Sequence, residues 1–456
     1  MSVLMVTTAI AVVYGLISGR YERALAVGAV TPAGAALVVG GEALPTFYAT
    51  AAGGAVLLAG QWLLRRGRPG SPPLGRIPGV GLLLIMLTWA VLVVLVAPFM
   101  ASGARTVTDP AWLLVPGRWE ISNVAQLLYL ALSIVVVIVV ARSTTTTTSL
   151  LAIPLAAGVL LSLWRYLSIH AGVPFPEGVF ANSPAFRYIE QAPGGVPRFR
   201  GIHSEPSALA STSMIAVAYF TSFAVRVRGP ARVGSLAMVA GAIFLGLVST
   251  STTFLVAGAV VGGCALVALV VRLVTLRLRV SVLTVCVALA VVAAAIFLTP
   301  DLLDAFTSEV DEKLGSDSYD DRSDADALAF EAYLETWGWG MGLGSVRASS
   351  LIFTLLGAVG TIGTLLFVGA VATTVLSAAR ISSCAPVIWA LTASLVVKVV
   401  SSPDLSDTSG VLWLGLGILA RAVVAQRNGV PMPVMGSRRS RGVAQDEPAP
   451  AREPVA

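Results

Sequence analysis

Long apolar runs recur along this chain, and they constrain its fold more than any other feature. Many reach about 20 residues, the length that an α-helix needs to cross the hydrocarbon core of a bilayer. Inside lipid, only helices and closed barrels satisfy every backbone polar group. Hydrophobic residues make up 56% of the 456 residues and charged residues 12%. The sequence therefore predicts an all-α polytopic integral membrane protein.

The runs predict about 12–13 transmembrane helices. The candidate spans are 3–19, 24–41, 47–64, 79–100, 121–141, 149–168, 207–225, 234–250, 253–271, 280–299, 350–378, 386–401 and 410–426. No basic residue precedes the first run, and no convincing cleavage site follows it. We therefore interpret 3–19 as a retained helix and not as a removed signal peptide.

Basic residues cluster in alternate connections between the spans. Arginine supplies 28 of the 30 basic residues, and most lie in short loops. Placing these loops in the cytoplasm gives strict alternation, with the amino terminus outside and the carboxyl terminus inside. This distribution predicts a multi-pass protein of the cytoplasmic membrane. It also argues against nucleic-acid binding, which would need a continuous basic stripe.

Two predicted external loops, about 168–206 and 299–349, are long enough to hold a functional site. Within the second loop, residues 327–336 favour a helix. We assign 1–425 to one polytopic membrane domain. The polar, proline-rich remainder, 426–456, has the composition of a disordered cytoplasmic tail.

The first external loop ends in the sequence Arg-Phe-Arg-Gly-Ile-His-Ser-Glu-Pro-Ser, residues 198–207. Arg198 and Arg200 suit phosphate, because guanidinium groups form bidentate contacts with its oxygens. Ser204 is the expected N-cap of the following helix, with Pro near its first position. The alternative is that the arginines lie at the headgroup interface and that Glu205 only caps the helix. His203 is open to a structural or a functional interpretation.

The second external loop ends in a glycine-rich sequence, residues 338–347, that closes with Arg347. Its glycines fit no nucleotide-binding motif, and they are also ordinary before a helix re-enters the membrane. Arg347 is again a cation on the predicted external side. Two arginine sites could therefore approach one anionic substrate. Arg322 lies among aspartates, and we favour pairing with those neighbours over substrate contact.

At these residues the chain resembles the O-antigen polymerase and ligase superfamily (Wzy and WaaL types), membrane glycosyltransferases of the GT-C kind. Residues 200–210 are similar to the family's arginine-glycine segment ahead of an "sEPS-lA" helix, and 340–347 to its "G-G-LGS-R" element. Residues 247–253 are similar to the "lS-Sr-" helix start but lack its arginine. The resemblance covers about 150–425.

The resemblance implies transfer of a glycan from an undecaprenyl-diphosphate carrier to an acceptor sugar outside the cytoplasmic membrane. No cofactor, nucleotide sugar or metal is implied. Arg200 and Arg347 would neutralise the leaving diphosphate, with Arg198 assisting. His203 or Glu205 would take the acceptor proton, and we rank His203 first. The remaining predicted substrate contacts are Gly201, Ser204, Ser207, Gly344 and Arg322.

The "EPS" variant favours a polymerase of lipid-linked repeat units over a ligase. Expected partners are the undecaprenyl-diphosphate-linked glycan, the lipid bilayer, and the flippase and chain-length proteins of the same pathway. A transporter of an anionic or lipid-linked substrate is the main alternative, and a structural membrane subunit is the third. Cys264, Cys286 and Cys384 show no CxxC spacing, so neither a disulfide framework nor a zinc site is predicted.

Overall fold

The protein is an all-α polytopic membrane protein. The computed structural model describes residues 3–32, 34–39, 42–64, 72–108, 111–184, 188, 190, 198–274, 317–407, 409–429 and 432. Helices dominate these residues, and one two-stranded antiparallel hairpin accompanies them. The predicted span 280–299, the start of the second external loop and the tail after 432 lie outside the described residues.

The first half of the described chain contains most of the short elements. Its helices and strands are α1 (Val3–Ser18), α2 (Tyr21–Gly28), β1 (Ala36–Val39), β2 (Glu42–Pro45), α3 (Thr46–Leu63), α4 (Val80–Met100), α5 (Ile121–Arg142), α6 (Ala152–Ala171) and α7 (Glu177–Phe180). The second half contains α8 (Pro206–Ala224), α9 (Pro230–Val248), α10 (Thr252–Val274), α11 (Asp317–Glu335), α12 (Leu351–Ala378), α13 (Ala385–Ser401) and α14 (Val411–Arg427).

Most predicted spans coincide with helices. Among the described residues, eight helices are long and apolar enough to cross a membrane. They are α4, α5, α6, α8, α9, α10, α12, and α13 with the short 3-10 turn before it. The predicted spans 3–19, 47–64 and 410–426 correspond to α1, α3 and α14, and the helix expected at 327–336 lies within α11.

The predicted span 24–41 is wrong. Its residues form the short helix α2 and then the first strand of the β1–β2 hairpin, in which Val39 pairs with Glu42. Pro32 disfavours a continuous helix through this segment, because proline has no backbone N–H to donate and clashes with the preceding turn. The run is apolar enough for a span, but it does not form one continuous helix.

Loops that were predicted to share a side of the membrane contact each other. On the acidic side, the backbone N–H of Arg347 donates to the carbonyl of Val107 at 2.7 Å. On the arginine-rich side, the Arg226 guanidinium donates to the Ser382 carbonyl at 3.3 Å. There, too, the Glu22 carboxylate accepts a hydrogen bond from Ser143. The helices therefore gather the two classes of connection into two groups.

Helix α14 lies at the centre of the described bundle, because every residue from Val411 to Ala425 is buried. Gly417 allows the close approach of α5, since a Cβ at this position would lie 2.8 Å from Val140. At its start, the Asp407 carboxylate accepts a hydrogen bond from the Leu412 N–H at 2.7 Å. This contact satisfies one of the free donors of the helix end.

Candidate functional site

A cavity of about 150 Å³ opens between α6, α8, α13 and the connection 402–410. Its ionisable lining residues are His203, Glu205, Lys398, Asp404 and Asp407. Hydroxyl groups surround them, and these come from Ser204, Ser207, Ser211, Thr212, Ser394, Ser401, Ser402, Ser406 and Ser409. The cavity therefore offers many donors and acceptors to a polar ligand, as binding sites with convergent polar groups do.

Helix α8 presents Glu205 to this cavity. The sequence analysis predicted Ser204 as the N-cap of α8, and this prediction is wrong. The N-cap is Glu205, and Pro206 occupies the first helical position. The Glu205 side chain makes no capping hydrogen bond. Instead its Oε1 accepts from the Ser207 hydroxyl at 2.6 Å. The carboxylate is therefore not consumed by the helix end, which was the alternative interpretation of this residue.

His203 lies at the cavity wall and is 7% exposed. Its Nε2 has no hydrogen-bond partner among the described residues. Burial and the neighbouring Arg200 charge lower the pKa of His203 to about 4. The imidazole is consequently neutral at physiological pH. The Nε2 atom itself is buried. A neutral imidazole is able to accept a proton.

Arg200 is not exposed to the cavity; its side chain is 3% exposed and belongs to an ion-pair network. The guanidinium contacts Glu190 at 2.8 Å and Glu177 at 3.0 Å, and it also donates to the His203 carbonyl at 2.7 Å. Arg165 of α6 contacts the same two carboxylates, each at 2.6 Å. Arg200 thus holds the backbone of His203 in place.

The two arginines also affect the pKa of Glu190. Burial alone would raise the pKa of Glu190, but hydrogen bonds and charges from Arg200 and Arg165 lower it below its usual range. Gly201 completes the network, because its carbonyl accepts from Arg165 at 2.6 Å. Gly201 has φ of +57°, and a Cβ at this position would collide with Ser162 of α6. Glycine therefore permits the close approach of this loop to α6. Arg165 was missed, although an arginine inside a predicted span is itself a signal.

Arg347, from the second external loop, contacts a residue of the cavity lining. Its guanidinium lies 3.8 Å from the Asp404 carboxylate, and Asp404 lines the cavity. The Arg347 side chain is 65% exposed, so this pair is weak. The segment 338–347 thus contacts the cavity lining through Arg347, while 198–207 contributes residues to the lining itself. That both segments serve one anionic substrate stays a prediction. Arg347, unlike Arg200, keeps its donors open to a ligand.

The glycines before Arg347 serve packing. Gly338, Gly340, Gly342 and Gly344 all have positive φ, between 78° and 95°. A Cβ on Gly344 would lie 2.6 Å from the backbone of Ser122. Asn123 of α5 binds the same segment through the Leu343 carbonyl and the Ser345 hydroxyl. The segment therefore fixes the position of Arg347 through backbone contacts.

A buried ion pair at the cavity was missed by the sequence analysis. Lys398 of α13 is 5% exposed; its Nζ donates to the Asp404 carbonyl at 2.8 Å and lies 3.7 Å from Asp407. Asp407 is 5% exposed as well. Lys398 falls inside a predicted span, and an ionisable group there indicates function by default. That signal was present in the sequence.

Of the remaining predicted contacts, two arginines lie outside the cavity lining. Arg198 donates to the Thr250 carbonyl at 2.8 Å and thus contacts the segment that resembles the "lS-Sr-" element. Thr250 has φ of +48°, a backbone conformation that costs about 1–3 kcal/mol for such a residue. Arg322 is exposed on α11. Ser204 and Ser207 line the cavity.

No three His, Cys, Asp or Glu side chains among the described residues gather closely enough to hold a metal ion. Compared with known proteins, the chain matches no family model and no curated protein sequence. The evidence for function therefore comes from the geometry of this cavity and from the motifs at its edge.

Proposed function

We propose that this protein is an O-antigen polymerase-like membrane glycosyltransferase. It joins undecaprenyl-diphosphate-linked repeat units into a surface or exported polysaccharide, without a metal. The observation that carries the proposal is a hydroxyl-lined cavity in whose wall the neutral His203 and Glu205 lie together. The same transfer to a final acceptor, as in an O-antigen ligase, is the alternative within this class.

The composition of the cavity wall favours a sugar acceptor inside it. Its serine hydroxyls and carboxylates suit the hydroxyl groups of a glycan. Acids outnumber cations in the lining, since Glu205, Asp404 and Asp407 face only Lys398. A diphosphate would be repelled from such a wall. The exposed Arg347 at the edge supplies the cation that the donor needs.

In the proposed reaction, the His203 imidazole takes the proton from an acceptor hydroxyl. The acceptor oxygen then bonds to the anomeric carbon of the donor as the bond from that carbon to the diphosphate oxygen breaks. The diphosphate leaves with the electron pair, and Arg347 neutralises the negative charge that develops. A bound diphosphate also offsets the Arg200 charge and so raises the basicity of His203.

Arg200 has a different role here from the one the resemblance implies. Its donors already bind Glu177, Glu190 and the His203 carbonyl. We assign it to positioning His203. Removing it would leave Glu177 and Glu190 paired with Arg165 alone and would remove the hydrogen bond to the His203 carbonyl. Loss of activity in an Arg200 variant would therefore not identify a substrate contact.

The proposal places the protein in the cytoplasmic membrane, with the cavity on the external face. The asymmetric distribution of arginine between the connections supports this orientation. The lipid-linked glycan would then reach the cavity after it has crossed the membrane. The flippase and the chain-length proteins of the same pathway are the proposed partners.

A transporter of an anionic or lipid-linked substrate is the second candidate. The observation that favours it is the buried Lys398–Asp407 pair at the cavity, because intramembrane ion pairs often line transport pathways. A transporter would bind cargo without breaking a bond. Its loss would leave the chain length of the polysaccharide unchanged.

The test compares the lipid-linked and surface glycans of cells that carry His203→Gln or Arg347→Ala. Each variant should lower polymerisation about 100-fold or more, so that single repeat units accumulate on the carrier. Arg118→Ala is the matched control. Arg118 is 70% exposed, pairs only weakly with Glu120, and precedes α5 on the same predicted side. It should leave the profile unchanged.

Three outcomes separate the candidates, provided that the variants remain in the membrane. Single repeat units on the carrier support a polymerase. Long chains on the carrier that never reach their final acceptor identify a ligase. A normal profile in both His203→Gln and Arg347→Ala removes the glycosyl-transfer proposal and leaves the transporter first.

A further inference from the structure

Helix α11, which the sequence analysis placed in an external loop, runs beside the apolar helix α12 and in the same direction. The Asp326 carboxylate accepts a hydrogen bond at 3.0 Å from the N–H of Ser350, the N-cap of α12. Near the end of α11, the Tyr333 hydroxyl lies 2.9 Å from the Thr361 hydroxyl. Thr361 follows Leu351, the first residue of α12, by ten residues or about 15 Å of helix. The end of α11 therefore lies beside the interior of α12.

Helix α4 gives the same depth independently. Trp89 lies eleven residues before Met100, the last residue of α4, which corresponds to about 16 Å of helix. Its indole N–H donates to the Val359 carbonyl at 2.8 Å, and its ring lies 5.1 Å from that of Trp339. With 21 residues, α4 has about the length of one membrane crossing, so Trp89 lies near the middle of the crossing. The turn after α11 thus meets two separate helices at the same depth.

The glycine-rich segment then returns towards the end of α4 at which α5 begins. A Cβ on Gly342 would lie 3.1 Å from Val94, which is about 9 Å before the end of α4. Two residues later, the Gly344 carbonyl accepts a hydrogen bond at 3.1 Å from the hydroxyl of Ser122, in the first turn of α5. Successive residues of the segment therefore contact progressively shallower levels of the bundle.

The non-helical backbone of this turn bonds to protein groups, as backbone inside a membrane must. Gly360, with φ of +67°, interrupts α12 beside the turn. The N–H of Met341 donates to the Gly357 carbonyl at 2.7 Å, before the interruption. After it, the N–H of Thr361 donates to the Gly338 carbonyl at 3.0 Å. The kink and the turn thus satisfy each other's backbone groups at this depth.

One face of α11 near the turn is apolar and exposed. Phe330, Leu334 and Trp337 recur at the spacing of one helix face, and all three are exposed. Trp337 is 89% exposed and has φ of +54°, at a helix end where glycine usually takes this conformation. Its N–H donates to the Leu334 carbonyl, and that of Gly338 to the Tyr333 carbonyl, as in a Schellman ending. The backbone therefore presents a large indole at the exposed tip of the turn.

We propose that residues 326–346 form a re-entrant segment, which enters the membrane to about its middle and returns to the same face. The depth of about 15 Å is half of the hydrocarbon core of about 30 Å. The stripe of Phe330, Leu334 and Trp337 contacts the hydrocarbon chains of the bilayer. It continues the exposed apolar surface of α12, which includes Ile362 and Leu365. The proposal does not depend on the proposed glycosyl transfer.

A second edge of α11 is acidic. Glu331 and Glu335 are exposed one helical turn apart, and neither forms an ion pair with a residue that the structure describes. They lie about 100° around the helix from Phe330 and Leu334, because each residue turns an α-helix by that angle. A carboxylate at this depth is costly in lipid and nearly always faces a protein interior or a water-filled space. In the proposed geometry, this edge faces water that follows the segment into the membrane.

The test measures the surroundings of nitroxide labels on the full-length protein in lipid vesicles. Trp337→Cys and Glu335→Cys carry the label in a protein without its three native cysteines. Leu365→Cys, on the exposed surface of α12, is the lipid control, and the exposed Arg118→Cys is the aqueous control. Oxygen concentrates in hydrocarbon, while a polar nickel chelate is excluded from it. The Trp337 label should match the Leu365 label, with high oxygen access and loss of nickel access.

The Glu335 label should keep nickel access, because water reaches its edge of α11. A Trp337 label that nickel reaches as easily as the Arg118 label would place the segment outside the membrane and overturn the proposal. Low access of both oxygen and nickel would mean that protein covers the stripe, and would overturn its assignment to hydrocarbon. Loss of nickel access at Glu335 would contradict the water-facing edge. If Trp337→Cys does not fold, Leu334→Cys on the same stripe decides between these results.

Discussion

Burial beside a cation determines the protonation of His203. The imidazole is almost fully buried, and the Arg200 guanidinium donates a hydrogen bond to the backbone carbonyl of His203. Both effects disfavour the charged ring and hold the pKa near 4. The unfolded chain restores a pKa of about 6.5. Between these two values the unfolded state binds more protons than the folded state.

This difference predicts a pH-dependent stability. The contribution of His203 is fully present above about pH 6.5 and is lost as the pH falls towards 4, at up to about 1.4 kcal/mol per pH unit. In His203→Gln, this part of the acid sensitivity should disappear. Denaturation of both proteins in detergent at pH 7 and pH 5 measures the effect. Equal loss of stability in both proteins would show that another group titrates.

At the scale of elements, the glycine-rich segment and its neighbours act as one unit. The backbone of Gly340 passes beside Ala358 and Gly360 of α12, and Gly360 has φ of +67° inside that helix. The Gly338 carbonyl accepts a hydrogen bond from the N–H of Thr361 at 3.0 Å. The kink of α12 and the glycine-rich segment therefore depend on each other, and together they place Arg347.

Two glycine variants separate conformational strain from crowding. Gly117→Ala should cost about 1 kcal/mol, since Gly117 has φ of +75° and no atom of the described residues would lie within 4 Å of the added Cβ. Gly344→Ala should cost about 3 kcal/mol or more, because its Cβ would also meet the Ser122 backbone at 2.6 Å. Thermal denaturation compares the two. Equal destabilisation would contradict the packing role of Gly344.

At the scale of the whole molecule, the bundle separates two groups of connections. One group contains the cavity edge, Arg347 and the loop before α5, which contact each other through Val107 and Ser122. The other contains the connections of Arg76, Arg226 and Arg427. Opposite accessibility of the two groups follows if the bundle crosses a membrane.

Cysteine labelling in intact cells tests this orientation. In a background without Cys264, Cys286 and Cys384, Arg118→Cys should react with a membrane-impermeant thiol reagent. Arg380→Cys, which is exposed at the arginine-rich end, should react only after the membrane is opened. The reverse pattern would place the cavity on the cytoplasmic face and contradict the proposed orientation.

The sequence predicted the membrane-spanning class well, because span length and apolar composition are local properties. It failed at 24–41, where mean hydropathy does not distinguish one helix from a short helix and a hairpin. For the candidate site, the sequence identified the segment 198–207, which lines the cavity, and Arg347, which contacts a lining residue. It missed Lys398 and Arg165, which lie inside predicted spans.

The sequence by itself determined that this chain forms a bundle of apolar helices with its charges concentrated between them. Local hydrophobic length and the need to satisfy backbone hydrogen bonds in lipid are sufficient for that. Only the tertiary structure decided which arginine is available to a ligand. Arg200 and Arg347 have similar contexts in the sequence, but Glu177 and Glu190 fold onto Arg200 and leave Arg347 exposed. Such pairing depends on how the first external loop folds back onto Arg200, so no local pattern predicts it.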